Sequence, residues 1–403
     1  MNEWARRLGV AGAAVGAVAA GVAVDRLTVS RSVRRQALLA LDAAGPFGSL
    51  RGTPGTALAE DGTELYYEVD DVDELDPGEE GADGEDAEGA RPVAAEPRAG
   101  ERERARLPRA LRRARRPSPA PVPTVVFSHG FCLAQDVWHF QRAALRGVVR
   151  AVYWDQRGHG RSGRGRGPVT VGQLGRDLKA VLDAAVPEGP VVLAGHSMGG
   201  MTVLALAAQY EDWLVRRLAG VALLATSSGG LDGVTYGFPA PAVRAVRTVL
   251  PGVLRALGTQ PGLVDRGRRA AGELYAQAVR RYAFGAPDEV DPGVARFAER
   301  LITAVPMDVV ASFYPAFGAL SLAPGLRVLG GLERDLPTLV VAGERDAVTP
   351  AAHGERIAAA LPGSECAVLP GAGHLLLLER PDAVNEHLAR LVARSIRFHE
   401  PAD

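Results

Sequence analysis

After Pro123 the sequence alternates between short, largely apolar runs and longer runs whose apolar residues recur every three or four positions. A short run of this kind reads as a strand, and Thr124–Ser128 as one that is buried. The longer runs, with a one-sided apolar stripe, read as the helices that cover it. The strands expected are Thr124–Ser128, Val148–Asp155, Val191–Ala194, Val221–Ala225, Thr338–Ala342 and Cys366–Leu369. The helices expected are Val171–Val186, Met198–Tyr210 and Asp382–Phe398. Strand and helix in turn imply the α/β class, with a mostly parallel sheet and helices on both faces. Upstream, Thr56–Ala59 and Glu64–Val69 flank Asp61-Gly62, which signals a hairpin with a type I′ turn.

Two stretches break this pattern. Between Gly230 and Leu336 the alternation stops, and prolines at 251, 261, 287, 292, 306, 315 and 324 punctuate what reads as an inserted helical lid. From Asp70 to Glu88 there are eleven acidic residues and no basic one, and from Arg91 to Arg116 there are ten arginines. Blocks of like charge with few apolar residues cannot bury a core, so a solvated insertion between two strands is expected. The organisation is therefore an N-terminal apolar segment (1–29), a helix and first hairpin (30–69), a charged insertion (70–122), the first part of the core (123–230), the lid (231–335) and the last part of the core (336–403).

The 403 residues carry a net charge of −1, which gives no electrostatic case for a nucleic-acid partner. Cys132 and Cys366 make no metal or redox motif. Leu8–Val24 is uncharged, follows Arg6 and Arg7, and reads as a membrane anchor, a signal peptide or a packed small-residue helix. If it spans, the arginines at 26, 31, 34 and 35 favour a cytoplasmic catalytic domain anchored to the membrane.

The sharpest chemical signal is Gly195-His196-Ser197-Met198-Gly199-Gly200, set between a strand and a helix. A serine lifted out of such a turn needs small residues two positions away on either side, because side chains there would collide. Its hydroxyl is a poor nucleophile without a general base, and that base needs a carboxylate to fix its tautomer. Asp346 follows the strand Thr338–Ala342, and His374 follows Cys366–Leu369, so both are expected at the sheet edge that carries Ser197. Glu344 and Asp232 are rival acids. His353, His387 and His399 are rival bases, placed in expected helices away from strand ends. The backbone N–H groups of Met198 and Phe131 are candidate donors to an oxyanion. His129 is expected to order the Ser128–Phe131 loop through hydrogen bonds.

Ser128-His129-Gly130-Phe131, Asp155-Gln156-Arg157-Gly158-His159-Gly160-Arg161-Ser162, the Ser197 motif, Gly343-Glu344-Arg345-Asp346 and Gly373-His374 occur in the order found in α/β hydrolases. The chain from Thr124 to Phe398 resembles that superfamily in its lipase/esterase-like and haloperoxidase-like branch. The resemblance implies a cofactor-free hydrolase, with no metal, whose lid shapes the pocket. It also implies that Asp155–Ser162 is a structural turn. The expected activity is cleavage of a carboxylic ester or related acyl bond through an acyl-serine, on a small apolar acyl substrate. An acyltransferase and a non-catalytic receptor are the alternatives. Phe238, Tyr275, Tyr282, Phe284, Phe313, Tyr314 and Phe317 are candidates for lining an apolar pocket or packing the lid.

Overall fold

The computed structural model describes residues 47–72, 122–165, 169–235, 272–317, 320–332 and 335–398, together with positions 243, 245, 248, 249 and 252. The apolar segment 8–24, the helix expected ahead of the first hairpin, the charged stretch 73–121, His399 and most of 236–271 lie outside the described residues. No helix among the described residues is long and apolar enough to cross a membrane.

Eight strands form one sheet in the order β1-β2-β4-β3-β5-β6-β7-β8. They are β1 (Thr53–Leu58), β2 (Glu64–Asp70), β3 (Thr124–Ser128), β4 (Ala151–Trp154), β5 (Val191–His196), β6 (Leu218–Leu224), β7 (Thr338–Gly343) and β8 (Glu365–Leu369). β1 and β2 run antiparallel to their neighbours, and from β4 onward every pair is parallel. The core helices are α1 (His139–Leu145), α2 (Val171–Ala185), α3 (Met198–Ala207) and α4 (Glu211–Arg217). Between β6 and β7 lie α5 (Gly272–Ala283), α6 (Pro292–Ala304), α7 (Met307–Phe313) and α8 (Ala323–Gly331). Then come α9 (Ala351–Ala359), α10 (Leu376–Glu379) and α11 (Pro381–Phe398).

Every residue of β3 to β7 is buried, which is why these strands read as continuous apolar runs. Alternate side chains go to opposite sides. Val125, Phe127, Tyr153, Val192 and Ala194 pack with Trp138, Leu388 and Leu391. Val126, Val152, Leu193, Val221 and Val340 pack with Leu178, Leu182, Leu204 and Ile357. In the segment between β6 and β7, Pro292 and Pro324 sit in the first turns of α6 and α8, where a missing N–H costs nothing.

Three expectations need correction. The hairpin turn is not type I′, since of Asp61 and Gly62 only Gly62 has positive φ (77°). Asp61 is held otherwise because its Oδ1 accepts from Thr63 N at 3.1 Å and its carboxylate faces Arg157. The strand Val148–Asp155 shrinks to β4, since the Val148 and Val149 N–H groups instead cap α1 through Leu145 O. The helix Met198–Tyr210 stops at Ala207.

The hairpin is fastened by charge as well as by apolar contact. Arg142 on α1 reaches Asp70 at 2.7 and 2.8 Å and Glu68 at 2.8 Å. Arg157, after β4, pairs with Asp177 on α2 and with Asp61 in the hairpin turn at 2.9 Å. Both arginines are 3% exposed, and Asp177 is fully buried. Removing one partner of such a pair strands a charge in the interior. Asp177→Ala is therefore expected to lower the unfolding free energy by about 3 kcal/mol, measured by urea denaturation.

Candidate active site

The turn from β5 into α3 is built around a strained residue. Ser197 has φ 53° and ψ −118°, a region that side chains avoid. Its N–H donates to Leu224 O at 2.9 Å, and its carbonyl accepts from Thr226 Oγ1 at 2.6 Å, so the end of neighbouring β6 and the residues just beyond it hold the turn on both sides. The flanking glycines are steric requirements, as the sequence implied. A Cβ on Gly195 would stand 2.5 Å from Gly199 C, and one on Gly199 would strike the Ser128 carbonyl.

His374 stands between Ser197 and Asp346. Its Nε2 lies 2.9 Å from Ser197 Oγ, and its Nδ1 lies 2.9 Å from Asp346 Oδ2. Ser197 donates to Nε2 while Nδ1–H donates to the carboxylate. Asp346 Oδ1 accepts from Val348 N at 2.8 Å and Thr349 N at 2.9 Å, and Oδ2 also accepts from Thr349 Oγ1 at 2.9 Å. Burial pushes the Asp346 pKa up. The charge of His374 and these hydrogen bonds outweigh it and hold the carboxyl below its ordinary value. Thr349 was missed in the sequence; it carries no motif and is found only through its contact with Asp346.

The rivals have other work. Glu344 accepts from Gly371 N at 2.8 Å and closes the turn after β8. Asp232 lies on the cavity wall. His387 pairs with Glu365 at 2.6 Å. His353 was expected away from strand ends, but its Nδ1 lies 2.7 Å from Ser227 Oγ, just beyond β6.

Three further histidines surround the site and stay neutral. Burial pushes His196 down to about 3 and His159 to about 4, and it carries His129 well below its ordinary value. His196 Nε2–H donates to the His374 carbonyl at 2.8 Å. His129 Nδ1–H donates to Gly130 O at 2.7 Å, and Nε2 accepts from Gln156 N at 2.9 Å, so this residue orders its loop. Asp155 accepts from Gln135 N at 2.8 Å and Arg161 N at 2.9 Å, as a structural turn requires. His159 Nε2 accepts from Cys132 N at 3.2 Å, fixing the chain directly after Phe131. Among the described residues, neither the Phe131 nor the Met198 N–H has an acceptor. Nor do three His, Cys, Asp or Glu side chains gather there to hold a metal.

Ser197 and His374 line a cavity of about 840 Å³, walled mainly by apolar groups such as Met201, Val279, Ile302 and Leu375. Of the aromatic candidates, Tyr282, Tyr314 and Phe317 line it. Phe284 and Phe313 are packing residues, 2% and 1% exposed. Phe238 and the Tyr275 side chain lie outside the described residues.

The sequence pattern of the alpha/beta hydrolase fold matches residues 123–381. The chain is similar to the dihydrolipoyllysine-residue acetyltransferase component of the acetoin cleaving system of Cupriavidus necator, 30% identical over 66% of this chain and 63% of that protein. It therefore spans less than two thirds of that relative's length. It is similar to 3-oxoadipate enol-lactonase 2 of Acinetobacter baylyi, 24% identical over 68% of this chain and 89% of that protein. Among solved structures, a thermophilic esterase from Thermogutta terrifontis aligns with TM-score 0.58 at 22% identity, covering 86% of this chain and 99% of that one. The enol-lactonase from Burkholderia xenovorans LB400 aligns with TM-score 0.56 at 24% identity, covering 84% and 99%. At such identities the structural likeness speaks for the fold.

The strain at residue 197 is testable. Glycine adopts positive φ freely, whereas alanine keeps the Cβ that resists it. Ser197→Gly is expected to be more stable than Ser197→Ala by about 1 kcal/mol in thermal unfolding.

Proposed function

The chain belongs to the alpha/beta hydrolase fold family, and on that footing we propose that it is a serine hydrolase that cleaves a carboxylic ester or related acyl bond. The observation that carries this reading is the single imidazole of His374, 2.9 Å from Ser197 Oγ on one side and 2.9 Å from Asp346 on the other. Ser197 Oγ attacks the carbonyl carbon as His374 Nε2 takes its proton. Asp346 keeps Nδ1 protonated and stabilises the imidazolium. The N–H groups of Phe131 and Met198 receive the oxyanion, a contribution on the order of 10²–10³ in rate for each such donor. His374 returns the proton to the leaving alcohol and an acyl-serine remains. Water, deprotonated by the same imidazole, then attacks the acyl carbon, and the acid leaves with Ser197 restored.

The apolar cavity wall supports a substrate with an apolar acyl group. A second reading is favoured by the relative named as an acetyltransferase component. In that case an alcohol or thiol other than water takes the acyl group, and product analysis with added alcohol distinguishes the two.

A fluorophosphonate probe is expected to label the wild-type protein and not Ser197→Ala. With p-nitrophenyl esters, Ser197→Ala and His374→Ala are each expected to lower kcat by about 10⁴-fold or more. A folded wild-type protein that neither labels nor turns over would instead support a non-catalytic receptor.

A further inference from the structure

Glu379 takes no part in the chemistry above, yet its buried carboxylate joins two segments that meet at the site. It accepts from Ala286 N at 2.9 Å and Gly285 N at 3.1 and 3.2 Å, just beyond the end of α5. It also accepts from Gly373 N at 2.6 Å, the residue before His374. The next link is direct, since Leu375 N donates to Ala283 O at 2.8 Å. Between these two bonds the His374 carbonyl is held by His196 at 2.8 Å. Three consecutive residues, 373 to 375, are thus bonded to three separate elements.

The contact between the two segments is main chain against main chain. A Cβ on Gly285 would stand 2.6 Å from Ala372 C and 2.7 Å from Gly373 N, and one on Gly373 would stand 2.5 Å from Phe284 C. No compressible side chain lies between them, so a displacement of one backbone is passed to the other. The far end of this connection faces substrate: Ala278, Val279, Tyr282 and Ala283 on α5 line the cavity.

We propose that Glu379 is a positioning residue that ties the apolar cavity wall to His374, so that an acyl chain packed on α5 holds the imidazole in register with Ser197. This rests on the serine-hydrolase reading. Binding energy from the unreactive part of a substrate can be spent on orientation at the reacting centre, and it then appears in kcat rather than in KM alone. The leverage is large, because a misplacement of about 1 Å can cost about 10²-fold. Glutamine in place of Glu379 keeps the shape. Its amide nitrogen, however, turns donors toward backbone donors, so one side of the clasp is lost.

The test compares p-nitrophenyl acetate, butyrate and octanoate on wild type and Glu379→Gln. In the wild type, kcat is expected to rise about ten-fold from acetate to octanoate. In Glu379→Gln that rise is expected to vanish while the KM values keep their wild-type order, since the wall itself is unchanged. A kcat lowered by one common factor for every ester, an unaltered kcat series, or a wild-type kcat independent of chain length would each overturn the proposal. Should Glu379→Gln fail to fold, Val279→Ala serves instead. It is expected to lower the octanoate-to-acetate ratio of kcat, and a change confined to KM overturns the coupling. Failure of the parent reading looks different: wild type then shows neither ester turnover nor fluorophosphonate labelling.

Discussion

Helices on both faces of the central sheet leave β3 to β7 no exposed residue, and the location of the chemistry follows from that constraint. A polar side chain in those strands must find a partner inside the fold, as Ser128 does with Trp154 Nε1 at 2.9 Å and His196 with the His374 carbonyl at 2.8 Å, both at strand ends. Polar function is pushed to the strand ends, where the chain turns and backbone donors come free. Ser197, Asp346 and His374 follow β5, β7 and β8 at the same edge, and the Ser128–Phe131 loop follows β3 there. Strands in parallel register bring together residues that the sequence separates by as many as 177 positions.

The cost of holding Ser197 at that edge is visible around it. Ser197 is held at positive φ by bonds to Leu224 and Thr226. Three neighbouring imidazoles stay neutral through burial, so they contribute hydrogen bonds without competing for the proton. The ionised group facing His374 Nδ1 is Asp346, whose carboxylate is steadied by Thr349 and Val348.

Local signals in the sequence exposed this much and little more. Gly195 and Gly199 could be read because their need is steric and close by in the chain. Asp346 and His374 could be read because each follows an apolar run whose shortness marks it as a strand. The hairpin turn was misread, because Asp61 answers to Thr63 and to Arg157, 96 residues away, rather than to the preference of an Asp-Gly pair. Thr349, His196 and Glu379 escaped for a similar reason. The His196 ring meets a carbonyl 178 residues distant, and Glu379 meets amides on a segment 93 and 94 residues upstream. No periodicity or spacing reports contacts of that kind.

In the register of the antiparallel end of the sheet, Ala151 pairs with Asp70 at the close of β2 on one side and with Val125 at the opening of β3 on the other. The chain thus departs after β2 and returns before β3 at the pole of the sheet opposite Ser197. With only β4 between them, the two points stand about 10 Å apart, two strand spacings. A bridge of roughly three or four extended residues spans that gap. The sheet therefore sets no particular length for the stretch between these two ends, and both lie at the pole remote from Ser197.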